Sequence, residues 1–115
     1  MRREVLKYIF DIQEACELLG EFTAGRTFEQ YLSDAMLRSA VERQFEIIGE
    51  AMNQALRLDP SLLEAIHDTS DIIAFRNRLI HAYSQIDHEI VWKVVEKYLP
   101  ALRGDVKAIL MAGDP

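Results

Sequence analysis

Cysteine, proline and glycine are scarce in this chain of 115 residues: one, three and five of them respectively. The lone cysteine, Cys16, excludes an intrachain disulfide and any zinc site built on thiolates. The fold must therefore rest on its hydrophobic core, and the length suits a single domain over residues 1–115. No apolar run approaches the ~20 residues that a bilayer-spanning helix needs. The opening stretch MRREVLKYIFDIQEACELL is broken by charge at Glu4, Lys7, Asp11 and Glu14, which predicts no secretion signal and a cytoplasmic protein. Positive charge is short as well, with a net charge of −6. That argues against broad, nonspecific nucleic-acid binding. The imbalance is local, however. Residues 1–70 hold seven Lys/Arg against thirteen Asp/Glu, whereas residues 71–115 hold six of each, which leaves room for a small cationic cleft in the second part.

What is present reads as helix almost throughout. Helix formers dominate, and no stretch sustains a period of two. Val5, Ile9, Ile12, Cys16 and Leu19 recur every three or four residues, so a first helix is predicted over Arg3 to Leu19, with Gly20 and Gly25 marking its exit. Thr27-Phe-Glu-Gln30 has the form of a capping box. It predicts a long second helix to Leu58, irregular near Tyr31 to Ser33, that buries Leu32, Met36, Val41, Phe45, Ile48, Met52, Ala55 and Leu56. Gly49 costs about 1 kcal/mol inside that helix relative to alanine, so a close helix–helix contact is expected there. Asp59-Pro60 starts a short helix over Ser61 to His67. A further helix runs from Ile72 to about His81 or Tyr83, capped by Ser70 or Asp71. Asp87 caps a last helix over His88 to Met111, which Pro100 should kink. The expected fold class is all-α: an up-and-down four-helix bundle with one additional short helix.

The chemistry collects in RNRLIHAY, Arg76 to Tyr83. Arg76 and His81 are five residues apart, about 140° around an ideal helix, so one straight helix does not aim both at one small target. Asn77 and His81 are four apart and share a face. Either the helix ends near His81 and turns the later residues back, or two copies face one another across a symmetric dimer. Two imidazoles and several guanidiniums suit metal-free RNA cleavage. One imidazole takes the proton of the ribose 2′-hydroxyl and another protonates the leaving 5′-oxygen. Guanidinium stabilises the charge that builds on phosphorus. Asn77 would hold the His81 ring, while Arg78 and Tyr83 would orient a phosphate or stack on a base. The same residues also fit a plain structural role, with arginines near a helix C-terminus, a capping histidine and a core tyrosine. On spacing alone that role is the commoner one.

The pattern Arg76-x4-His81-x-Tyr83 resembles the signature of the HepT-like toxins of the HEPN superfamily. FEIIGEAMNQAL (Phe45 to Leu56) resembles the family's central helix, and FRNRLIHAYSQIDHEIVWKVVEKYLPAL (Phe75 to Leu102) its motif helix and last helix. The resemblance implies a dimerising helical bundle and a metal-independent endoribonuclease without cofactor. Such an enzyme is the toxin of a type VII-like toxin–antitoxin pair, with Arg76 and His81 catalytic. It implies as partner a minimal nucleotidyltransferase antitoxin that attaches AMP to the motif tyrosine, here Tyr83. Many relatives carry Pro-Trp where this chain has Asp68-Thr-Ser-Asp71. A noncatalytic module that binds a nucleotide or the nucleotidyltransferase partner is the alternative.

Outside the cluster, His67 and His88 have no metal-ligand spacing around them. Glu42, Glu46 and Glu50 read as a solvated acidic stripe rather than half of a di-metal site. Trp92 reads as core or dimer interface.

Overall fold

The structure, a computed structural model, describes residues 1–82 and 85–112. The all-helical class is observed, but the chain divides more finely than expected, into seven helical segments among the described residues. They are α1 (Arg3–Thr23), α2 (Phe28–Ser33), α3 (Ala35–Leu58), α4 (Leu62–Ala65), α5 (Thr69–Ala82), α6 (His88–Lys97) and α7 (Leu99–Ala112).

The divisions have local causes. Thr27 forms the capping box with Gln30: its hydroxyl accepts from the Gln30 N–H and the Gln30 side chain accepts from the Thr27 N–H. The predicted long helix then breaks at Asp34, which leaves the helical region (φ −116°, ψ 97°) and caps α3 by accepting the Leu37 N–H at 3.0 Å. The break re-aims the chain, so Leu32 and Met36, predicted to be buried, are 45% and 82% exposed. Tyr31 is buried in their place. Gly20 does not end α1; the helix continues to Thr23, whose hydroxyl donates to the Leu19 carbonyl at 2.7 Å. Pro100 interrupts the last helix, as expected: it stands in the first turn of α7, and Tyr98, still in the right-handed helical region (φ −95°, ψ −32°), separates α6 from α7. The predicted helix start at Ile72 moves back to Thr69, which is buried, and Asp68 precedes it at φ 61°.

One apolar core joins these segments. Val5, Ile9, Ile12, Cys16 and Leu19 of α1 meet Val41, Phe45, Ile48, Met52 and Ala55 of α3, as their three-and-four spacing predicts. Burial contributes about 1.5–3 kcal/mol for each large aliphatic side chain. Leu99, Leu102 and Val106 bring α7 against α1. The central helix is α3, flanked by α1 on one side and α5 on the other. The contacts of α5 with α6 and α7 are sparse. An apolar groove of about 330 Å3 follows that gap, walled by Ile72, Phe75, Ile90, Val94 and Tyr98, with Asp71 and Arg78 at its edges.

Candidate functional site

The motif residues ride on the second half of α5, and Gly49 sets how that half docks. A methyl group at Gly49 would overlap Cβ and Cγ of Arg76 and meet its Cδ at 3.3 Å. Glycine therefore lets α5 approach α3 at the position of Arg76, which is the close contact its cost in the helix calls for. The next residue, Glu50, accepts from one terminal nitrogen of Arg76 at 2.7 Å. Asn77 Oδ1 accepts from the other at 2.9 Å. Nε of Arg76 is buried without a hydrogen-bond partner among the described residues. The guanidinium is thus fixed by its packed stem and by two acceptors, and its side chain keeps 24% of its exposure.

Asn77 accepts from Arg76, a charge-assisted partner within reach, and no hydrogen bond joins it to the His81 ring among the described residues. One expectation changes here: Glu50 is no free member of an acidic stripe but the anchor of Arg76. Its two companions differ as well. Glu46 lies 3.4 Å from Arg43. Partial burial pushes the Glu42 carboxyl above the usual carboxylate range, against the pull of nearby His88 and Arg38. The role of Glu50 could have been sought in its position beside a helix-interior glycine, since a residue next to a close crossing faces the partner helix.

The motif helix runs through Ala82, within the expected range, so His81 still lies on it. Arg76 and His81 accordingly stay on different sides of it, as the 140° separation requires. Arg76 opens into a cleft of about 260 Å3 between α1, α3 and α5, which also presents Asp11, Arg43, Glu46 and Glu50. His81 is exposed and opens into a second cleft, of about 320 Å3, between α5 and the start of α6. Arg78 lies three residues earlier on that same face and lines the same cleft. One chain thus joins His81 with Arg78 and keeps Arg76 apart. The last of the predicted site residues, Tyr83, lies outside the described residues.

The remaining sequence candidates are structural in their contacts. His67 is exposed and its ring nitrogen Nδ1 lies 2.9 Å from Asp105 Oδ2, which also accepts the His67 backbone N–H at 2.9 Å. That hydrogen bond and the carboxylate charge hold the imidazole above its ordinary pKa. His88 and Trp92 both pack on Tyr31, at ring separations of 6.3 Å and 5.1 Å, so Trp92 is a core residue. The Tyr31 hydroxyl and His88 Nδ1 are buried with no hydrogen-bond partner among the described residues. No group of three or more His, Cys, Asp or Glu among the described residues could hold a metal ion, and none of the helices there is long and apolar enough to cross a membrane.

Comparison with known proteins places this chain in a family. The family model for "Ribonuclease HepT-like" proteins matches residues 12–109. A protein of Thermococcus cleftensis named "Probable ribonuclease HepT" is 39% identical over 108 residues, which cover 90% of this chain and 94% of the relative. An RNase-named protein of Caldanaerobacter subterraneus subsp. tengcongensis is 34% identical across 90% of this chain and 91% of its own. Another, from Methanocaldococcus jannaschii, is 30% identical across 94% of this chain and 98% of its own. No solved structure matches. With nearly its whole length accounted for by these likenesses, the chain belongs to the HepT-like ribonuclease family.

Proposed function

We propose that this protein is a metal-independent endoribonuclease that works as a homodimer, with Arg76 and His81 as its catalytic residues. The observation that carries the reading is the exposed His81 on an open cleft with a guanidinium, Arg78, one turn away on the same face. An imidazole ionises near neutral pH and can both take and give a proton. A guanidinium grips phosphate oxygens in a fork. In the reaction the base removes the 2′-hydroxyl proton and the 2′-oxygen attacks phosphorus. The 5′-oxygen then leaves with a proton from the acid, so the products are a 2′,3′-cyclic phosphate and a 5′-hydroxyl. The pinned guanidinium of Arg76, oriented by Asn77 and Glu50, serves the charge that builds on the phosphorane.

The separation of Arg76 from His81 within one chain supports the dimer. The apolar groove along α5, α6 and α7 shares Phe75, Arg78 and Ile90 with the His81 cleft. A second copy seated in that groove brings its own motif alongside. Half-exposed Tyr98, at 40%, lines the groove but not the His81 cleft and is apolar surface such a copy would cover. The resemblance to HepT-like toxins supports the biological setting: a cytoplasmic toxin neutralised by a minimal nucleotidyltransferase that joins AMP to Tyr83. A phosphodiester charge and an adenosine two residues from His81 would repel and obstruct an RNA phosphate.

The test is RNA cleavage by the purified protein in excess chelator. Wild type is expected to cut and leave cyclic-phosphate ends. His81→Ala is expected to melt at the wild-type temperature and cut nothing. A His81→Ala protein that cuts normally, or a wild type that binds RNA and never cleaves it, rejects the reading.

A further inference from the structure

The cleft beside His81 is larger and less polar than a phosphate site needs. At about 320 Å3 it lies at the lower end of small-ligand pockets, which start near ~300 Å3. Its floor is Leu79 and Val91, both buried, and its walls are Phe75, Ile86 and Ile90. A phosphodiester gains nothing from such walls, since leaving water for an apolar surface costs a charged group heavily. A nucleobase has the opposite character, with flat apolar faces and a polar edge. The lining also supplies partners for that edge: Gln85, Asp87, Arg78 and His81.

We propose that this cleft receives one nucleobase next to the scissile phosphate, and that Asp87 selects a base bearing an exocyclic amino group. The inference rests on the ribonuclease reading and adds a sequence preference to it. Asp87 is held rigidly because it caps α6: its Oδ1 accepts the N–H groups of Glu89 at 3.0 Å and Ile90 at 3.3 Å. Its Oδ2 has no hydrogen bond among the described residues, and Asp87 lines the cleft. A carboxylate only accepts hydrogen bonds, so it pairs with the amino groups of cytosine, adenine or guanine. Uracil has no amino group, and the carbonyls beside its single ring N–H would face the carboxylate. Gln85 both donates and accepts, so it holds any base without discriminating. Arg78, one turn from His81, keeps the adjoining phosphate in register with the imidazole.

The test digests a random-sequence RNA pool with wild type and with Asp87→Asn and sequences the cut ends. Asparagine caps helices as well as aspartate does, so the start of α6 is retained. Wild type should show one nucleotide position flanking the cut where uracil is depleted by about tenfold. Asp87→Asn should lose that depletion, because its amide donates to a carbonyl. If a melting scan shows Asp87→Asn unfolded, Asp87→Ser, another strong cap with a neutral side chain, gives the same comparison. A wild type that cuts without base preference overturns this inference alone, as does a folded variant that still excludes uracil. A wild type that cuts no RNA overturns the ribonuclease reading and this inference together.

Discussion

Replacing Gly49 with alanine adds one methyl group where α3 and α5 come closest. The atoms it would strike are Cβ and Cγ of Arg76, the root of a side chain rather than its flexible tip. Rotating Arg76 cannot move its Cβ, so α5 itself must shift. Forcing a methyl group into a packed contact costs about 1–3 kcal/mol, and a fixed obstacle belongs at the upper end. Alanine returns about 1 kcal/mol through its better helix propensity. The net expectation is a loss of about 2 kcal/mol, or a fall in Tm on the order of 10 °C for a domain of this size. Gly104 supplies the control. It also lies inside a helix, α7, yet a Cβ there meets nothing within 4 Å. Gly104→Ala should therefore stabilise by about 1 kcal/mol. Urea and thermal unfolding of the two variants should give shifts of opposite sign. A Gly49→Ala protein as stable as wild type would refute the account of how α5 docks, and with it the placement of Arg76.

Glu50→Gln keeps the size of the anchor and removes its charge. Because the pair is partly exposed, stability should change by no more than about 1 kcal/mol, while RNA cleavage by this variant should fall clearly; unchanged turnover would show that Arg76 needs no carboxylate to orient it. The His67–Asp105 contact makes stability depend on pH. Since the folded state raises the His67 pKa, the contribution is complete below the ordinary value near ~6.5 and disappears as pH rises through the raised one. Asp105→Asn should abolish that dependence in melts between pH 5 and 9, as an order-of-magnitude window around the histidine range. Burial pushes the Cys16 thiol up to about 12. Its alkylation at pH 8 or so should thus be slow in the native protein and follow the unfolding rate; rapid labelling of folded protein would contradict the packing of α1.

Helix periodicity carried most of the fold. The stripe of α1 is buried as its spacing predicts, and so is the α3 stripe from Val41 to Ala55, with Leu56 partly buried, since a 3.6-residue repeat maps directly onto one packed face. Breaks were harder to read. The irregularity near Tyr31 to Ser33 was legible, but not that Asp34 ends α2 and caps α3, and carrying one apolar stripe through the break misplaced Leu32 and Met36. Pro100 was legible as an interruption but not as a new first turn. For the site, the 140° separation of Arg76 and His81 followed from residue count alone. The grip of Glu50 on Arg76 did not, because it joins residues 26 positions apart. The pairing of His67 with Asp105 spans 38 positions and was equally hidden.

That α5 stays helical to Ala82 has a consequence beyond the geometry of one chain. If both groups must act on the same phosphate, as proposed, no rotamer change inside a lone subunit can assemble the machinery. Each copy would then fold fully and remain idle until it met another, so output would climb with the square of abundance at low copy number. Scarcity itself would hold the activity in check.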